Sequence, residues 1–307
     1  MDFKHISVML DECIEGLNIK PDGIYLDGTA GGAGHSSEIA KRLTSGRLIA
    51  LDQDPDAIQI ATERLSEYKT AQVVSANFRD MDSVLQELQI DGIDGILLDL
   101  GVSSHQLDVT ERGFSYHGDA PLDMRMSQKG ISAKDIVNTY SVNELTRILR
   151  EYGEENFARK IAFSIEKARA IKPIETTAEL AELVKSSIPA AKRREKNPCK
   201  KTFQAIRIAV NGELDSLSEG LDKAFSCLNP GGRLVIITFH SLEDRMVKHR
   251  YLEWCKGCTC PPDFPVCVCG NQPKARLVNR KPIVATEEEL EYNRRSKSAK
   301  LRILEKL

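Results

Sequence analysis

Residues 23–36, GIYLDGTAGGAGHS, place a glycine-rich loop directly after a short apolar run. Four glycines in the ten residues Asp27–Ser36 allow the backbone to approach a bound molecule closely. A phosphate-binding P-loop needs a lysine directly after its last glycine, and no glycine of this loop has one. A dinucleotide fingerprint needs a third glycine where this sequence has Ser37. The remaining interpretation is S-adenosylmethionine, whose carboxylate would meet backbone N–H groups at the start of the following helix.

Short runs of aliphatic and β-branched residues predict a parallel α/β sheet. The predicted strands are residues 23–27, 46–52, 71–76, 94–100 and 231–239. Helical patterns at 37–43, 56–65 and 81–88 separate the first four of them. Such alternation is typical of a sheet that helices cover on both faces.

The alternation stops between about residues 106 and 214, where the pattern is nearly all helical. Apolar stripes run from Phe157 to Ala168 and from Ile206 to Leu221, and capping boxes are predicted at Ser141/Glu144 and Thr176/Glu179. A helical domain, 106–214, is therefore predicted to be inserted into a discontinuous domain, 1–105 and 215–307, and to recognise the substrate.

Acidic residues end three of the predicted strands, at Asp27, Asp52 and Asp99. The carboxyl ends of parallel strands meet at one edge of a sheet, where ligands bind. Asp52 could accept both ribose hydroxyls, Phe78 could stack beside the adenine, and Asp99 lies where the methyl group would be presented. The alternative is that Asp52 and Asp99 only cap the helices that follow.

His240 follows the last predicted strand at the same edge. It could accept a proton from an amine or hydrogen-bond a base. Alternatively, Ser241-x-x-Asp244 is a helix-capping pattern and His240 is only its neighbour. The loop after Asp99 lacks the tyrosine that many amino-methyltransferases use to stack the base, so Phe114, Tyr116 and Phe239 are candidates for that contact.

The composition, with 41% hydrophobic and 29% charged residues and a net charge of −2, is that of an ordinary globular protein. No run of about 18 apolar residues and no signal peptide is present, so a cytoplasmic protein without a membrane segment is expected. Basic residues cluster at 192–201 and 294–302, which favours a polyanionic partner.

Five of the eight cysteines fall in one short stretch. They are Cys255, Cys258, Cys260, Cys267 and Cys269. Their spacing could hold one zinc ion that orders the loop, and free thiols are the alternative. No metal is expected in the catalytic site.

Long motifs then become recognisable. DLGVSS (99–104), PLDMRM (121–126) and TFHSLEDR (238–245), with YLDGTAGGAGHS, resemble the bacterial 16S ribosomal RNA cytosine-N4 methyltransferases, the RsmH or MraW family. The resemblance covers nearly the whole chain. It implies a Rossmann-like class I sheet that uses S-adenosylmethionine, and methylation of a cytidine in the decoding centre of the small ribosomal subunit.

The resemblance also implies a set of cofactor contacts. They are Ala33, Gly34, His35, Asp52, Phe78, Asp99 and Gln106. Asp99 and His240 are the candidate catalytic residues, and His35 is expected to act through its backbone. The oligomeric state stays open, with a dimer as one option.

Two other function classes are kept as alternatives. An NAD-dependent oxidoreductase would need the missing third glycine and a catalytic tyrosine–lysine pair. A non-enzymatic ribosome-assembly factor would keep the fold only to bind RNA, and the three intact strand-end aspartates argue against it.

Overall fold

Seven strands form one mixed sheet in the computed structural model, which describes residues 6–193, 197–261, 264, 266 and 268–307. The strands are β1 Ile24–Asp27, β2 Arg47–Asp52, β3 Ala71–Ser75, β4 Ile93–Asp99, β5 Leu228–Thr238, β6 Ala275–Leu277 and β7 Lys300–Lys306. Their order is β3-β2-β1-β4-β5-β7-β6. The first five strands are parallel, and β7 runs antiparallel between β5 and β6. The order of β1 to β5 is that of a doubly wound nucleotide-binding sheet, which confirms the Rossmann-like class I prediction.

The helices, numbered in chain order, connect and flank these strands. They are α1 Leu10–Leu17, α2 Gly34–Ala40, α3 Pro55–Leu65, α4 Met81–Glu87, α5 Ser104–Asp108, α6 Ala133–Thr139, α7 Val142–Glu151, α8 Ala158–Arg169, α9 Thr177–Ser187, α10 Ala190–Arg193, α11 Lys200–Asn211, α12 Glu213–Cys227, α13 Ser241–Trp254 and α14 Glu287–Tyr292. Short 3-10 helices cover Phe78–Asp80, Thr110–Arg112 and Arg294–Ser298.

The chain divides into two compact units, Met1–Gly101 with Leu214–Leu307, and Val102–Glu213. In the first unit, successive residues of β4 pack into different cores. Leu97 packs with residues of α1 and α2, whereas Ile96 packs with residues of α12 and α13. Both faces of the central strands are therefore buried, which is why these strands are continuous apolar runs in the sequence.

The second unit has its own apolar core, built mainly from α6 to α9 and α11. The capping boxes at Ser141/Glu144 and Thr176/Glu179 are confirmed. The helical prediction was wrong for residues 113–132, which form turns and extended segments. The stripe from Ile206 to Leu221 was also read wrongly as one helix, because Gly212, with φ 58°, adopts the left-handed conformation that ends α11. The predicted role of this unit in substrate recognition stays a prediction.

Strands β6 and β7 were missed. Lys300–Lys306 mixes charged and apolar residues and lies beside other basic residues, so it resembled a solvated charge cluster. Within the described residues, no helix is long and apolar enough to cross a membrane.

Candidate functional site

The glycine loop lies at the carboxyl edge of the sheet, beside the strand where the order of the sheet reverses. Strands β2 and β3 lie on one side of β1, and β4 and β5 on the other. Ligands of open α/β sheets bind in the crevice at this switch point. A Cβ on Gly28 would lie 2.5 Å from Cδ2 of Leu98 and 2.9 Å from Cβ of Phe78, so only glycine fits there.

The turn into α2 has an unusual backbone. Gly31 and Ala33 have φ of 49° and 58°, in the left-handed region. Ala33 is the N-cap of α2, and Gly34 is its first residue. The N–H groups of Gly31 and Ala33 are bonded to Asp52 and to the carbonyl of Ala30. The N–H groups that begin α2 follow directly, and a helix start of this kind suits a carboxylate.

Asp27 holds this loop together. Its Oδ1 accepts the N–H of Thr29 at 3.1 Å, and its Oδ2 accepts the hydroxyl of Ser36 at 2.6 Å. The carboxyl group is buried, and burial raises its pKa. The hydroxyl of Thr29 in turn accepts the N–H of Asp99 at 2.7 Å, which ties the loop to the end of β4.

Asp52 ends β2 and also supports the loop. Its Oδ2 accepts the N–H of Gly31 at 2.8 Å, and its Oδ1 accepts the N–H of Asp54 at 2.9 Å. Burial raises the pKa of Asp52 to about 6, although these two hydrogen bonds act in the opposite direction. The alternative that Asp52 caps α3 is wrong, because Asp54 is the N-cap and accepts the N–H of Asp56 at 3.1 Å. Asp52 thus keeps lone pairs for ribose hydroxyls.

Asp99 is the most perturbed carboxyl group of this edge. Burial raises its pKa to about 8, with further contributions from the charges of Asp27 and Glu243. Its Oδ1 is buried and has no hydrogen-bond partner among the described residues. The helix-capping alternative is wrong here too, because Ser103 is the N-cap of α5. An unpaired carboxylate oxygen at this position indicates a ligand that supplies a donor or a positive charge.

His35 lies next to Asp99, with its Nδ1 3.9 Å from Oδ2 of Asp99. Its Nε2 lies 3.0 Å from the carbonyl oxygen of Val8. A carbonyl only accepts, so Nε2 carries the proton and Nδ1 is bare. Burial lowers the pKa of His35 to about 4, so the ring is neutral at pH 7 and cannot balance the charge of Asp99.

Phe78 and Gln106 have structural partners as well. The ring of Phe78 packs on α12, where a Cβ on Gly220 would lie 2.6 Å from its Cε2. Gln106 lies in the second unit, where its Oε1 accepts the N–H of Ser103 at 3.0 Å and completes the capping box of α5. Their cofactor contacts stay predictions.

The helix-capping pattern after β5 was predicted one residue too late. His240, not Ser241, is the N-cap of α13: its Nδ1 accepts the N–H of Glu243 at 3.4 Å, and Glu243 accepts the N–H of His240 at 3.3 Å. Nε2 of His240 lies 3.1 Å from Oε1 of Glu243. Asp244, the predicted partner of Ser241, instead pairs with Lys300 and Arg302.

Not every residue of the two basic clusters, 192–201 and 294–302, is an exposed charge. Arg302 is buried and its Nε lies 2.7 Å from Asp244, so it is a structural ion pair rather than a free surface charge. Arg294 and Lys297 are exposed. In the other cluster, residues 194–196 lie outside the described residues, and Lys192 and Lys200 are exposed.

Sequence reasoning missed the two terminal segments that support His35. The N–H of Met9 donates to Oε1 of Glu289 at 2.9 Å, and the Ser296 hydroxyl donates to the same oxygen. Glu289 is buried although it belongs to the acidic run EEELE, and that run gave no signal to distinguish it.

Together these residues fit S-adenosylmethionine. Backbone N–H groups at the start of α2 suit its carboxylate, Asp52 suits its ribose, and the unpaired Oδ1 of Asp99 suits a cationic or donor group. The loop has no lysine or arginine that could bind a phosphate.

Comparisons with known proteins identify the family. A family model described as the MraW methylase family matches residues 2–307. A protein of Lachnospira eligens named ribosomal RNA small subunit methyltransferase H is 60% identical over 100% of this chain and 99% of its own. A protein of Clostridium botulinum with the same name is 55% identical over the full length of both chains. An rRNA methylase structure from Streptococcus thermophilus aligns with a TM-score of 0.43 and 13% identity, over 100% of this chain and 99% of that one.

Proposed function

The chain belongs to the MraW methylase family, and we propose that it transfers a methyl group from S-adenosylmethionine to the N4 amine of a cytidine in 16S ribosomal RNA. The names of its relatives support the small-subunit RNA as substrate. The choice of an exocyclic amine as acceptor rests on the carboxyl group that ends β4.

The observation that carries this proposal is the buried, unpaired Oδ1 of Asp99. The exocyclic amine of cytosine is a weak nucleophile because its lone pair is delocalised into the ring. A carboxylate that accepts one amine N–H helps the lone pair to localise on nitrogen, and this interaction strengthens as the charge develops. Asp99 therefore orients the amine towards the methyl group.

S-adenosylmethionine supplies an electrophilic methyl group on a sulfonium. In the transfer, the S–CH₃ bond breaks with its electron pair left on sulfur, and the N4 lone pair forms the new N–C bond. The proton that N4 then releases passes to the carboxylate of Asp99. Burial raises the pKa of Asp99 to about 8 in the cofactor-free protein, so this carboxyl group must first ionise, which a cationic sulfonium beside it favours, before it can take the proton.

We assign proton acceptance to Asp99 and not to His240. The Nδ1 of His240 already accepts the backbone N–H of Glu243 at the start of α13, so its Nε2 carries the ring proton. That Nε2 is buried and lies 3.1 Å from Oε1 of Glu243, but it makes no hydrogen bond among the described residues. His240 is proposed to fix the position of that helix start.

Asp52 is proposed to bind the ribose of the cofactor, and Phe78 is proposed to contact its adenine. The turn at Ala33, Gly34 and His35 is proposed to bind its methionine end. Gln106 is assigned to the cofactor through the family resemblance.

The competing functions lack comparable support. An NAD-dependent oxidoreductase would bind a pyrophosphate, and the loop departs from the glycine pattern for one. A purely structural RNA-binding factor gives no reason for the unpaired Oδ1 of Asp99.

Methylation of small ribosomal subunits tests the proposal. Subunits from cells that lack this protein would be incubated with the purified chain and radiolabelled S-adenosylmethionine, then digested to nucleosides for mass spectrometry. We expect label in N4-methylcytidine. Label in 5-methylcytidine, or no transfer by a chain that binds the cofactor, would overturn the proposal.

A further inference from the structure

The loop between α13 and β6 brings three cysteine sulfurs together. The Sγ atoms of Cys258, Cys260 and Cys269 all lie within 4.8 Å of one another. Those of Cys258 and Cys269 are 3.7 Å apart. Cysteines that bind one zinc ion at about 2.3 Å in a tetrahedron are separated by about 3.8 Å. The spacing is therefore that of zinc ligands, and it is far longer than the roughly 2.05 Å of a disulfide.

Backbone N–H groups also point at these sulfurs. The N–H of Thr259 lies 3.3 Å from Sγ of Cys269, and that of Asn271 lies 3.5 Å from the same atom. The N–H of Val268 lies 3.3 Å from Sγ of Cys260. Hydrogen bonds to sulfur are the outer-shell contacts that metal-bound thiolates use. The loop backbone thus supplies hydrogen bonds to the sulfur atoms of Cys260 and Cys269.

In its described part, this loop has few other stabilising interactions. Residues 255–274 separate α13 from β6, and the described part of this range contains no helix or strand. Phe264, Val266 and Val268 are exposed, at 51%, 70% and 74%, so they form no core. The amide of Asn271 does close the base of the loop, donating to the carbonyls of Lys256 at 3.1 Å and Gly257 at 2.7 Å. A long loop without a core needs another source of order, and binding of one metal ion by several of its side chains can supply it.

We propose that Cys258, Cys260 and Cys269 bind one structural zinc ion that orders the loop between α13 and β6. Thiolates are soft ligands that select zinc over magnesium or calcium. Zinc sites of this kind need a fourth ligand. Among the described residues, Cys255 is the nearest further cysteine in the sequence, and Cys267 lies outside them. Cys255 packs instead with the apolar core beside β5. The zinc ion has no part in methyl transfer.

Metal analysis of the full chain tests this inference. Protein purified without chelator is expected to carry about one zinc ion per chain, and cobalt(II) added to the metal-free protein should give thiolate-to-metal charge-transfer absorption. Cys258→Ser, Cys260→Ser and Cys269→Ser should each lose the metal. Cys227→Ser is the matched control, because Cys227 is half-buried and belongs to none of these contacts; its zinc content should stay unchanged.

Two further readouts separate the proposal from its alternatives. Cofactor affinity should stay within about twofold of wild type in each serine variant, which shows that the fold is intact. Protease cleavage between residues 256 and 273 should accelerate when the metal is removed. Zinc content near zero in the wild type, with reactive free thiols, overturns the proposal, as does a disulfide that only reductant releases.

Discussion

Carboxyl groups experience opposite environments in the two units of this chain. At the carboxyl edge of the sheet, burial raises the pKa of Asp52 to about 6 and that of Asp99 to about 8. In the helical unit, hydrogen bonds from the backbone of Glu175 and from Lys172 lower the pKa of Glu179 to about 2. The helix cap stabilises the ionised carboxylate, whereas the sheet edge favours the protonated carboxyl group in the absence of a ligand.

This difference separates a structural role from a functional one. Glu179 completes a capping box whose partners all belong to the protein. Asp99 has neutral His35 and the acidic Asp27 and Glu243 around it, and no cation among the described residues balances it. A site that binds a cationic ligand would have this character. In the ligand-free protein, its buried and unpaired carboxyl group would lower the folding stability.

The largest effect is expected from Asp99→Asn on the methylation rate. The amide keeps the shape but cannot take a proton, and its oxygen is a weaker acceptor for the amine. Single-turnover methylation at saturating S-adenosylmethionine should fall by about 100-fold or more. A rate within about threefold of wild type would leave Asp99 without a catalytic role.

Asp52→Ala should weaken cofactor binding by at least about tenfold. Two ribose hydroxyls would lose a charged acceptor, and each such hydrogen bond contributes about 1.5–3 kcal/mol. Isothermal titration calorimetry measures this directly. Asp56→Ala, in the first turn of α3, removes a carboxylate that is not among the proposed cofactor contacts; it is the control and should bind normally. Equal affinity of all three proteins would contradict the ribose assignment.

Asp99→Asn is expected to slow methylation but to raise the folding stability of the cofactor-free protein. The folded state holds the proton of Asp99 up to about pH 8, whereas an unfolded aspartate releases it near pH 3.8. Wild-type stability therefore falls as pH rises from about 4 to 8. Asp99→Asn removes this fall and should be more stable than wild type by about 1–3 kcal/mol at pH 8. Denaturant unfolding at pH 4 and pH 8 checks it, and a variant that is less stable at pH 8 would refute it.

Smaller effects are expected at the surface of the first unit. Reversing Arg294 and Lys297 to glutamate should weaken binding to small subunits and flatten its dependence on salt, because fewer counterions would be released. Reversing Lys41, an exposed residue paired with Glu38, is the control. If both variants bind subunits as wild type does at every salt concentration, residues 294–297 are only solvated surface.

The smallest effect should come from a cap of the helical unit. Thr176→Ala removes the hydroxyl that accepts the N–H of Glu179, and should destabilise the protein by about 1 kcal/mol. Cofactor affinity should not change, because no proposed cofactor residue belongs to α9. A Thr176→Ala protein that keeps its full stability but loses cofactor binding would contradict the separation between the structural role of Glu179 and the functional role of Asp99.

The sequence predicted the parallel half of the sheet well because strands buried on both faces leave long apolar runs. It also predicted which aspartates end those strands. It could not predict that Asp99 would lie beside a neutral His35, since the burial that lowers the pKa of His35 depends on terminal segments far away in the chain. Strand β7 could not be predicted for a similar reason. Its charged residues form ion pairs, such as those with Asp244, only in the folded protein.

The dependence of cofactor affinity on pH tests the central claim most directly, namely that Asp99 must be ionised to bind a cationic ligand. Calorimetric titration of wild type should show S-adenosylmethionine binding about 15-fold tighter at pH 8 than at pH 6.5, because Asp99 is largely protonated below its pKa of about 8 and about half ionised at pH 8. Asp99→Asn should bind weakly with little change over the same range. Parallel pH profiles for the two proteins would contradict the account.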